Sequence, residues 1–86
     1  MAKIEIVPLT SLSKGEKGIV VSIAGGFNAT KRLADMGIVP NTEITVLAKA
    51  PVCGPIEVLV RGSKLSIGLG LAAKIFVKKW RMNEKK

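Results

Sequence analysis

Histidine and tyrosine are both absent from the chain, which has only one cysteine, one tryptophan and two phenylalanines. Without an imidazole, a serine or the thiol of Cys53 lacks the base that normally activates such nucleophiles. A single cysteine also excludes an internal disulfide and a zinc site made of cysteines alone. These absences give no support to catalysis by nucleophilic attack, and we expect that the chain is not an enzyme.

Three longer patterns are missing as well. No apolar run approaches the ~18–20 residues that cross a bilayer, and residues 1–8 lack the apolar segment of a secretory signal. Gly25-Gly26 is not followed by the Lys-Ser/Thr of a nucleotide-binding loop. Paired carboxylates are not evident, although Glu43 and Glu57 could be neighbours across strands. We therefore expect a cytoplasmic chain without a small-molecule substrate.

Aliphatic residues and positive charge dominate what is present. The chain has 86 residues, is 48% hydrophobic and carries a formal net charge of +8. This length fits one domain over residues 1–80, and residues 81–86 form a basic C-terminal tail. The excess charge is either a solvated surface that keeps the domain soluble or a binding surface for an acidic partner.

Alternation of polar and apolar residues predicts five to six short strands. The predicted segments are 3–7, 18–23, 42–49, 56–60, a hairpin over 61–67 with its turn at Gly62-Ser63, and 74–77. The strand at 18–23 is expected to place Val20 on one face and Ile19, Val21 and Ile23 on the other. Leu9 and Leu12 are expected to pack a short turn on the core. Many short aliphatic strands with regular turns predict a mainly β chain that forms a small closed barrel, because closure leaves no exposed edge on such aliphatic strands.

Residues 31–42 carry the most specific local pattern, in which a short helix ends in a glycine and turns into a strand. Asn28 is predicted as the N-cap of the helix over about 29–36, because its side-chain oxygen can accept a bond from a first-turn amide. Gly37 suits the left-handed position after the helix. Pro40 presets the first central angle of the following turn, and Asn41 tolerates the positive φ that a type II turn needs next. The motif consists of Leu33, Asp35, Met36, Gly37 and Pro40, of which the leucine and the methionine are predicted to face the core.

With its flanking segments, this motif resembles the ferrous-iron-transport protein A (FeoA) family. The family pattern is a strand ending in Gly-Gly, then Arg-Leu, one variable residue and Asp-Met-Gly-Ile, a proline turn, a strand, and an Ala-Pro and Gly-Pro loop. The matching segments here are 18–26, 32–38, Pro40, 50–51 and 54–55. The resemblance extends over about residues 9–77. Asn41 departs from it by standing where the family favours glycine.

The resemblance implies an SH3-like barrel with the helix inserted after the first long strand. A barrel of this kind is also the C-terminal domain of iron-dependent repressors. It implies an accessory protein of ferrous iron uptake that docks on the cytosolic part of the FeoB-type membrane transporter, a GTP-binding protein. It associates the chain with binding of iron, a transition metal, without assigning a cofactor to any residue. Contact with a membrane is then expected only through this partner.

Two groups of residues are candidates for partner binding. Lys31 and Arg32 are expected on the exposed side of the helix, where they can face an acidic surface. The second group is the loop of Pro51, Val52, Cys53, Gly54 and Pro55, which is either an exposed docking patch or a plug over the end of the barrel. Cys53 in this loop is either a reactive thiol or a small apolar residue that covers the barrel mouth. Ordinary solvated charges and ordinary loop packing are the plainer interpretation of the two groups.

Other functions stay open at this stage. Cys53, Asp35, Glu43 and Glu57 are candidate ligands for ferrous iron, but no histidine joins them, so the metal ligands are not assigned. The rival function is a nucleic-acid-binding small barrel, which the net charge favours and the scarcity of aromatic residues opposes. A detached repressor barrel is disfavoured because no helix-turn-helix pattern precedes the strands. Oligomerisation is left open.

Overall fold

The structure, a computed structural model, describes residues 2–82. In chain order its elements are β1 (Ala2–Pro8), a 3₁₀ turn (Leu9–Ser11), β2 (Lys17–Ile23), α1 (Gly26–Asp35), β3 (Glu43–Lys49), β4 (Ile56–Val60), β5 (Ser63–Ile67), α2 (Leu69–Ala72) and β6 (Ile75–Met82). The chain is mainly β, as predicted, with one ten-residue helix and one short helical turn. Residues 1 and 83–86 lie outside this description, and with them Lys85 and Lys86 of the predicted tail.

The six strands form one antiparallel sheet in the order β1–β6–β2–β3–β4–β5. From β2 to β5 each strand pairs with the next along the chain, whereas β6 returns to lie between β1 and β2. β1 and β5 are the two edges, and no ladder joins them within residues 2–82. The strands therefore form one sheet around one core, and the prediction that the barrel is closed by strand pairing is wrong for the part of the chain that the structure describes.

One hydrophobic cluster fills the inner side of the sheet. Its members are almost all leucine, isoleucine and valine, as the scarcity of aromatic residues requires. Alternation places one face of each inner strand in this cluster, so that Ile56, Val58 and Val60 of β4 are all buried, as predicted. Leu9, the first residue of the 3₁₀ turn, and Leu12, directly after it, are fully buried, which confirms that they pack this segment on the core.

β2 contains a β-bulge that interrupts its alternation. Between Val20 and Ser22 the strand advances two residues while β6 advances one, so Val21 is an extra residue. The sequence predicted Ile23 on the face opposite to Val20, and this prediction is wrong. The bulge returns Ile23 to the inner face, where it packs against the core. An extra residue of this kind exists only in the ladder between strands, so alternation within one strand does not reveal it.

α1 begins at Gly26, earlier than the predicted span of 29–36. Asn28 lies inside the helix, so its prediction as the N-cap is wrong. The N-cap is Gly25, whose left-handed φ of 102° turns the chain from β2 into the helix without a capping side chain. The Thr30 hydroxyl donates a 2.9 Å bond to the Gly26 carbonyl in this first turn.

Within residues 2–82, neither helix has the length and hydropathy needed to span a membrane.

The β4–β5 hairpin turns at Arg61 and Gly62, not at Gly62 and Ser63 as predicted. Both turn residues have positive φ, 52° and 82°, and Val60 pairs with Ser63 directly after them. A two-residue turn of this kind matches the twist of the flanking strands. The hairpin therefore begins at Ile56 rather than at Arg61.

The last strand is longer than the predicted 74–77. β6 extends to Met82 along β1, and Arg81 lies opposite Lys3 in this ladder. The first two residues of the segment 81–86 are therefore part of the sheet.

Candidate functional site

The end of α1 is organised around Gly37, as the sequence predicts. Gly37 has a φ of 86°, and its amide donates to the carbonyl of Ala34 at 2.9 Å. The amide of Ile38 donates to the carbonyl of Leu33 at 2.8 Å. These two bonds define a Schellman ending. The side chains of Leu33 and Ile38 are fully buried and Met36 packs against the same cluster, so the motif closes the helix over the core.

Pro40 and Asn41 form the centre of the turn that leads into β3. The Thr42 amide donates to the Val39 carbonyl at 3.1 Å and Asn41 has a φ of 76°, which fits the predicted type II turn. The Asn41 amide donates to the Val20 carbonyl at 2.7 Å, and the Val20 amide donates to the Thr42 carbonyl at 2.9 Å. The turn is therefore fixed to β2 beside its bulge.

Lys31 and Arg32 are exposed on α1, as predicted. The Lys31 Nζ lies 3.6 Å from the Asp35 Oδ2 one turn further along, and both side chains are more than half exposed. An exposed pair of this kind contributes little to stability. Phe27, one turn before Lys31 on the same side of the helix, is 77% exposed. Phe27 and Lys31 are therefore exposed on one side of α1, and Arg32, the next residue in the chain, is exposed on an adjacent side.

The 50–55 loop is held in one shape at its base. The Ala50 amide donates to the Pro55 carbonyl at 3.1 Å, which joins the two ends of the loop. Gly54 is required there, because a Cβ at this position would collide with the Cβ of Ala50. Just before the loop, the Lys49 Nζ donates to the carbonyl oxygens of Thr10 and Leu12, at 3.0 Å each. The loop thus leaves the end of β3 from a fixed base.

The tip of this loop combines exposure with an unfavourable backbone. Val52 is 89% exposed and has a φ of 47°, and the exposed Cys53 has a φ of 55°. A β-branched side chain in the left-handed region is a true outlier, and such strain costs about 1–3 kcal/mol. The alternative in which the loop plugs the barrel is therefore wrong, as is the idea that Cys53 covers the barrel mouth as a buried apolar residue.

A cleft of about 330 Å³ lies on the outer side of the sheet, between the turn before β3 and the β4–β5 turn. Its lining includes Glu43 and Thr45 of β3, with Arg61 at the second turn. Sequence reasoning did not find this cleft. The signal was the Arg61-Gly62 pair, because a two-residue turn brings its side chains to the rim of the sheet.

The two predicted contact regions lie on opposite sides of β3 along the chain. α1, with Lys31 and Arg32, precedes this strand, and the 50–55 loop follows it. β3 has seven residues and so spans about 20 Å. The two regions are therefore joined through β3, with α1 before its first residue and the loop after its last residue.

The candidate metal ligands do not converge. Within residues 2–82 no group of three or more His, Cys, Asp or Glu side chains is placed to hold a metal ion. Glu43 lies 3.6 Å from the Nζ of Lys17 and is paired in the ladder with β2, whereas Glu57 lies in the ladders of β4, so the two carboxylates are not cross-strand neighbours. Cys53 lies in the loop after β3, and Asp35 is the last residue of α1, before β3. This donor set does not fit a resident metal.

Comparisons with known proteins agree on the family. The model of the FeoA domain family matches residues 7–79. An Fe(2+) transport protein A of Methanocaldococcus jannaschii is 39% identical over 70 residues, which are 81% of this chain and 83% of that protein. A crystal structure of an iron uptake regulatory protein (FeoA) has a TM-score of 0.78 and 44% identity, and the match covers 85% of this chain and 95% of that one.

The fold also occurs inside longer proteins. A manganese-dependent transcriptional repressor matches 90% of this chain with a TM-score of 0.80, but the match covers only 43% of the repressor, at 23% identity. At this identity the likeness concerns the fold alone. It confirms the expected relation between this SH3-like domain and a domain of metal-dependent repressors.

Proposed function

The chain belongs to the FeoA family, and on this premise we propose that it is a cytoplasmic accessory protein of ferrous iron uptake that docks on the cytosolic part of a FeoB-type membrane transporter. The observation that carries the proposal is the tip of the 50–55 loop. There the chain displays Val52 to solvent in a strained backbone instead of burying it. Docking, rather than catalysis, is the proposed action.

The loop has the properties of a contact site because it is apolar, exposed and fixed at the same time. Residues with a strained backbone are concentrated at functional sites. The Ala50–Pro55 bond and the close approach of Gly54 hold the loop in place, so little conformational entropy is lost when a partner covers it. Pro51, Val52, Cys53 and Pro55 are all exposed and supply the apolar contact.

The charge on α1 has a different role in this proposal. Lys31 and Arg32 lie outside the loop, and positive side chains at the edge of an interface mainly accelerate the encounter with an acidic partner. Apolar contacts at the loop mainly slow dissociation. Regulation of the transporter then requires that the chain bind two of its conformational or nucleotide states with different affinity.

A surface plasmon resonance experiment separates these two contributions. We expect the double variant Lys31→Glu/Arg32→Glu to lower the association rate to the isolated cytosolic domain of a FeoB-type transporter, most strongly at low salt. We expect Val52→Asp to raise the dissociation rate with little dependence on salt. Both effects follow from the division between steering and contact.

Two control variants make the same chemical changes elsewhere. Lys14→Glu/Lys64→Glu changes the same net charge at exposed positions outside α1, and Val21→Asp adds a carboxylate at another exposed valine. If the controls weaken binding as much as the test variants, the assigned surface is wrong. If the wild-type chain binds RNA more tightly than the transporter domain at physiological salt, the chain is a nucleic-acid-binding barrel and the proposal fails.

Ferrous iron is the cargo of the transport system in this proposal and is not a resident cofactor of the chain. The candidate ligands are dispersed, and the net charge of +8 repels a divalent cation. We expect anaerobic calorimetry to detect no site tighter than micromolar for ferrous iron. A one-to-one isotherm of higher affinity that disappears in Cys53→Ser would contradict this expectation.

A further inference from the structure

β1 is an edge strand with an unusual combination of features. It pairs with β6 on one side, and within residues 2–82 no strand pairs with its other side. Val7 lies opposite the buried Val77, which identifies the inner face of this ladder. Ile4 and Ile6 are therefore on the outer face, where they are 53% and 60% exposed. An edge that presents exposed isoleucines is a template for pairing with another strand.

The charged residues of β1 are complementary to those of a second, antiparallel β1 strand. Lys3 and Glu5 flank Ile4, so an antiparallel pairing of two β1 strands about a two-fold axis at Ile4 places Lys3 of each copy opposite Glu5 of the other. In the same register Ile4 lies opposite Ile4 of the second copy, and Ala2 lies opposite Ile6. A carboxylate has two acceptor oxygens, so Glu5 can accept from Lys3 of the second copy and keep a contact within its own chain.

The other edge of the sheet lacks this complementarity. β5 has one charged residue, and pairing of two β5 strands about Leu65 would place Lys64 opposite Ser66. A lysine on an edge strand normally discourages pairing. In a pair of β5 strands a serine lies opposite Lys64, so its charge has no opposite charge to face. In a pair of β1 strands Glu5 of the second copy lies opposite Lys3. The β1 edge is therefore suited to pairing with a copy of itself, and the β5 edge is not.

We propose that β1 is a homodimerisation edge, at which two copies of this chain pair antiparallel about Ile4 and extend both sheets into one. The interface is isologous, so every contact occurs twice. Two Lys3–Glu5 pairs select the register, and the facing isoleucines supply apolar contact across the strands. The proposal is independent of any role in iron uptake, because it concerns only the self-association of the chain.

A charge-reversal cycle tests the proposal. The protein is purified with its tag removed, because β1 begins at Ala2, and its mass is followed by analytical ultracentrifugation from micromolar to millimolar concentration. We expect the wild type to dimerise, and Lys3→Glu and Glu5→Lys each to raise the dimer dissociation constant about tenfold, because attraction becomes like-charge repulsion at two symmetric places. The double variant Lys3→Glu/Glu5→Lys restores complementarity and is expected to recover the wild-type constant. Lys64→Glu, on the other edge, is the matched control and is expected to leave the constant unchanged.

Hydrogen exchange of the wild type provides a readout that needs no variant. As dimer accumulates, exchange of the β1 amides is expected to slow while exchange of the β5 amides does not change. A chain that remains monomeric up to millimolar concentration would overturn the proposal. So would a dimer that the single reversals do not weaken, that the double variant does not restore, or that leaves the β1 amides unprotected.

Discussion

Of the segments that place residues in the left-handed region of the backbone, two do so with opposite chemistry. Between α1 and β3 the left-handed positions are occupied by Gly37 and Asn41, the residue types that tolerate them best. In the 50–55 loop they are occupied by Val52 and Cys53, and a β-branched valine tolerates such a backbone poorly. The first segment is locally relaxed, and the second is strained.

Burial differs in the same direction. The relaxed segment covers the core with Leu33 and Ile38, both completely buried, and the Asn41 backbone is bonded to β2. The strained loop buries little, and Val52 is almost fully exposed. Local preference and global packing agree in the first segment, as they do in most of a natural protein, and disagree in the second. Disagreements of this kind concentrate at functional sites.

The largest difference between the two segments is expected when a side chain is truncated. Leu33→Ala is expected to lower the free energy of unfolding by about 2–5 kcal/mol, because it leaves a cavity under the Schellman ending. Val52→Ala is expected to change it by less than about 0.5 kcal/mol, because the side chain is in water. Urea denaturation of both variants measures the two values. Similar losses would mean that the 50–55 loop is part of the stabilising core.

A smaller effect is expected from the backbone at Gly37. Gly37→Val is expected to lower the free energy of unfolding by about 1–3 kcal/mol, because a β-branched residue resists the left-handed conformation. Among the described residues other than Gly37 and its two neighbours in the chain, no atom lies within 4 Å of the position that a Cβ would occupy, so the loss reflects the backbone and not a clash. Gly37→Asn is the matched control and should lose clearly less, because asparagine tolerates this region. Equal midpoints for Gly37→Val and the wild type in denaturant would show that Gly37 does not need this conformation.

The sequence alone was sufficient to predict those elements in which the local pattern and the tertiary packing agree. The alternation of β3 up to Val46, the alternation of β4 and the glycine ending of α1 were predicted correctly, because each has its cause within a few residues. The start of α1 was wrong because Gly25, rather than a capping side chain, redirects the chain there. The bulge at Val21 and the β1–β6 ladder beyond residue 77 depend on pairing with distant residues, which a single strand does not encode.

The candidate site was harder to predict for a related reason. Lys31 and Arg32 are exposed, as their helical pattern predicts, but whether the loop was a plug or a displayed surface could not be decided. A valine in a sequence suggests an extended backbone and burial, and here Val52 has neither. The strain is set by the closure of the loop between Ala50 and Pro55, so it became visible only in three dimensions.

The central claim is that the strain at Val52 is retained for docking. Val52→Gly tests it in one protein, because glycine accepts the left-handed backbone but removes the side chain. We expect the free energy of unfolding to rise by about 1 kcal/mol, as relief of strain exceeds the entropy that glycine adds to the unfolded chain. We expect affinity for the cytosolic domain of a FeoB-type transporter to fall about tenfold, because an apolar contact is lost. A variant that is more stable and binds more weakly is the predicted result, and one that binds as well as the wild type would contradict the account.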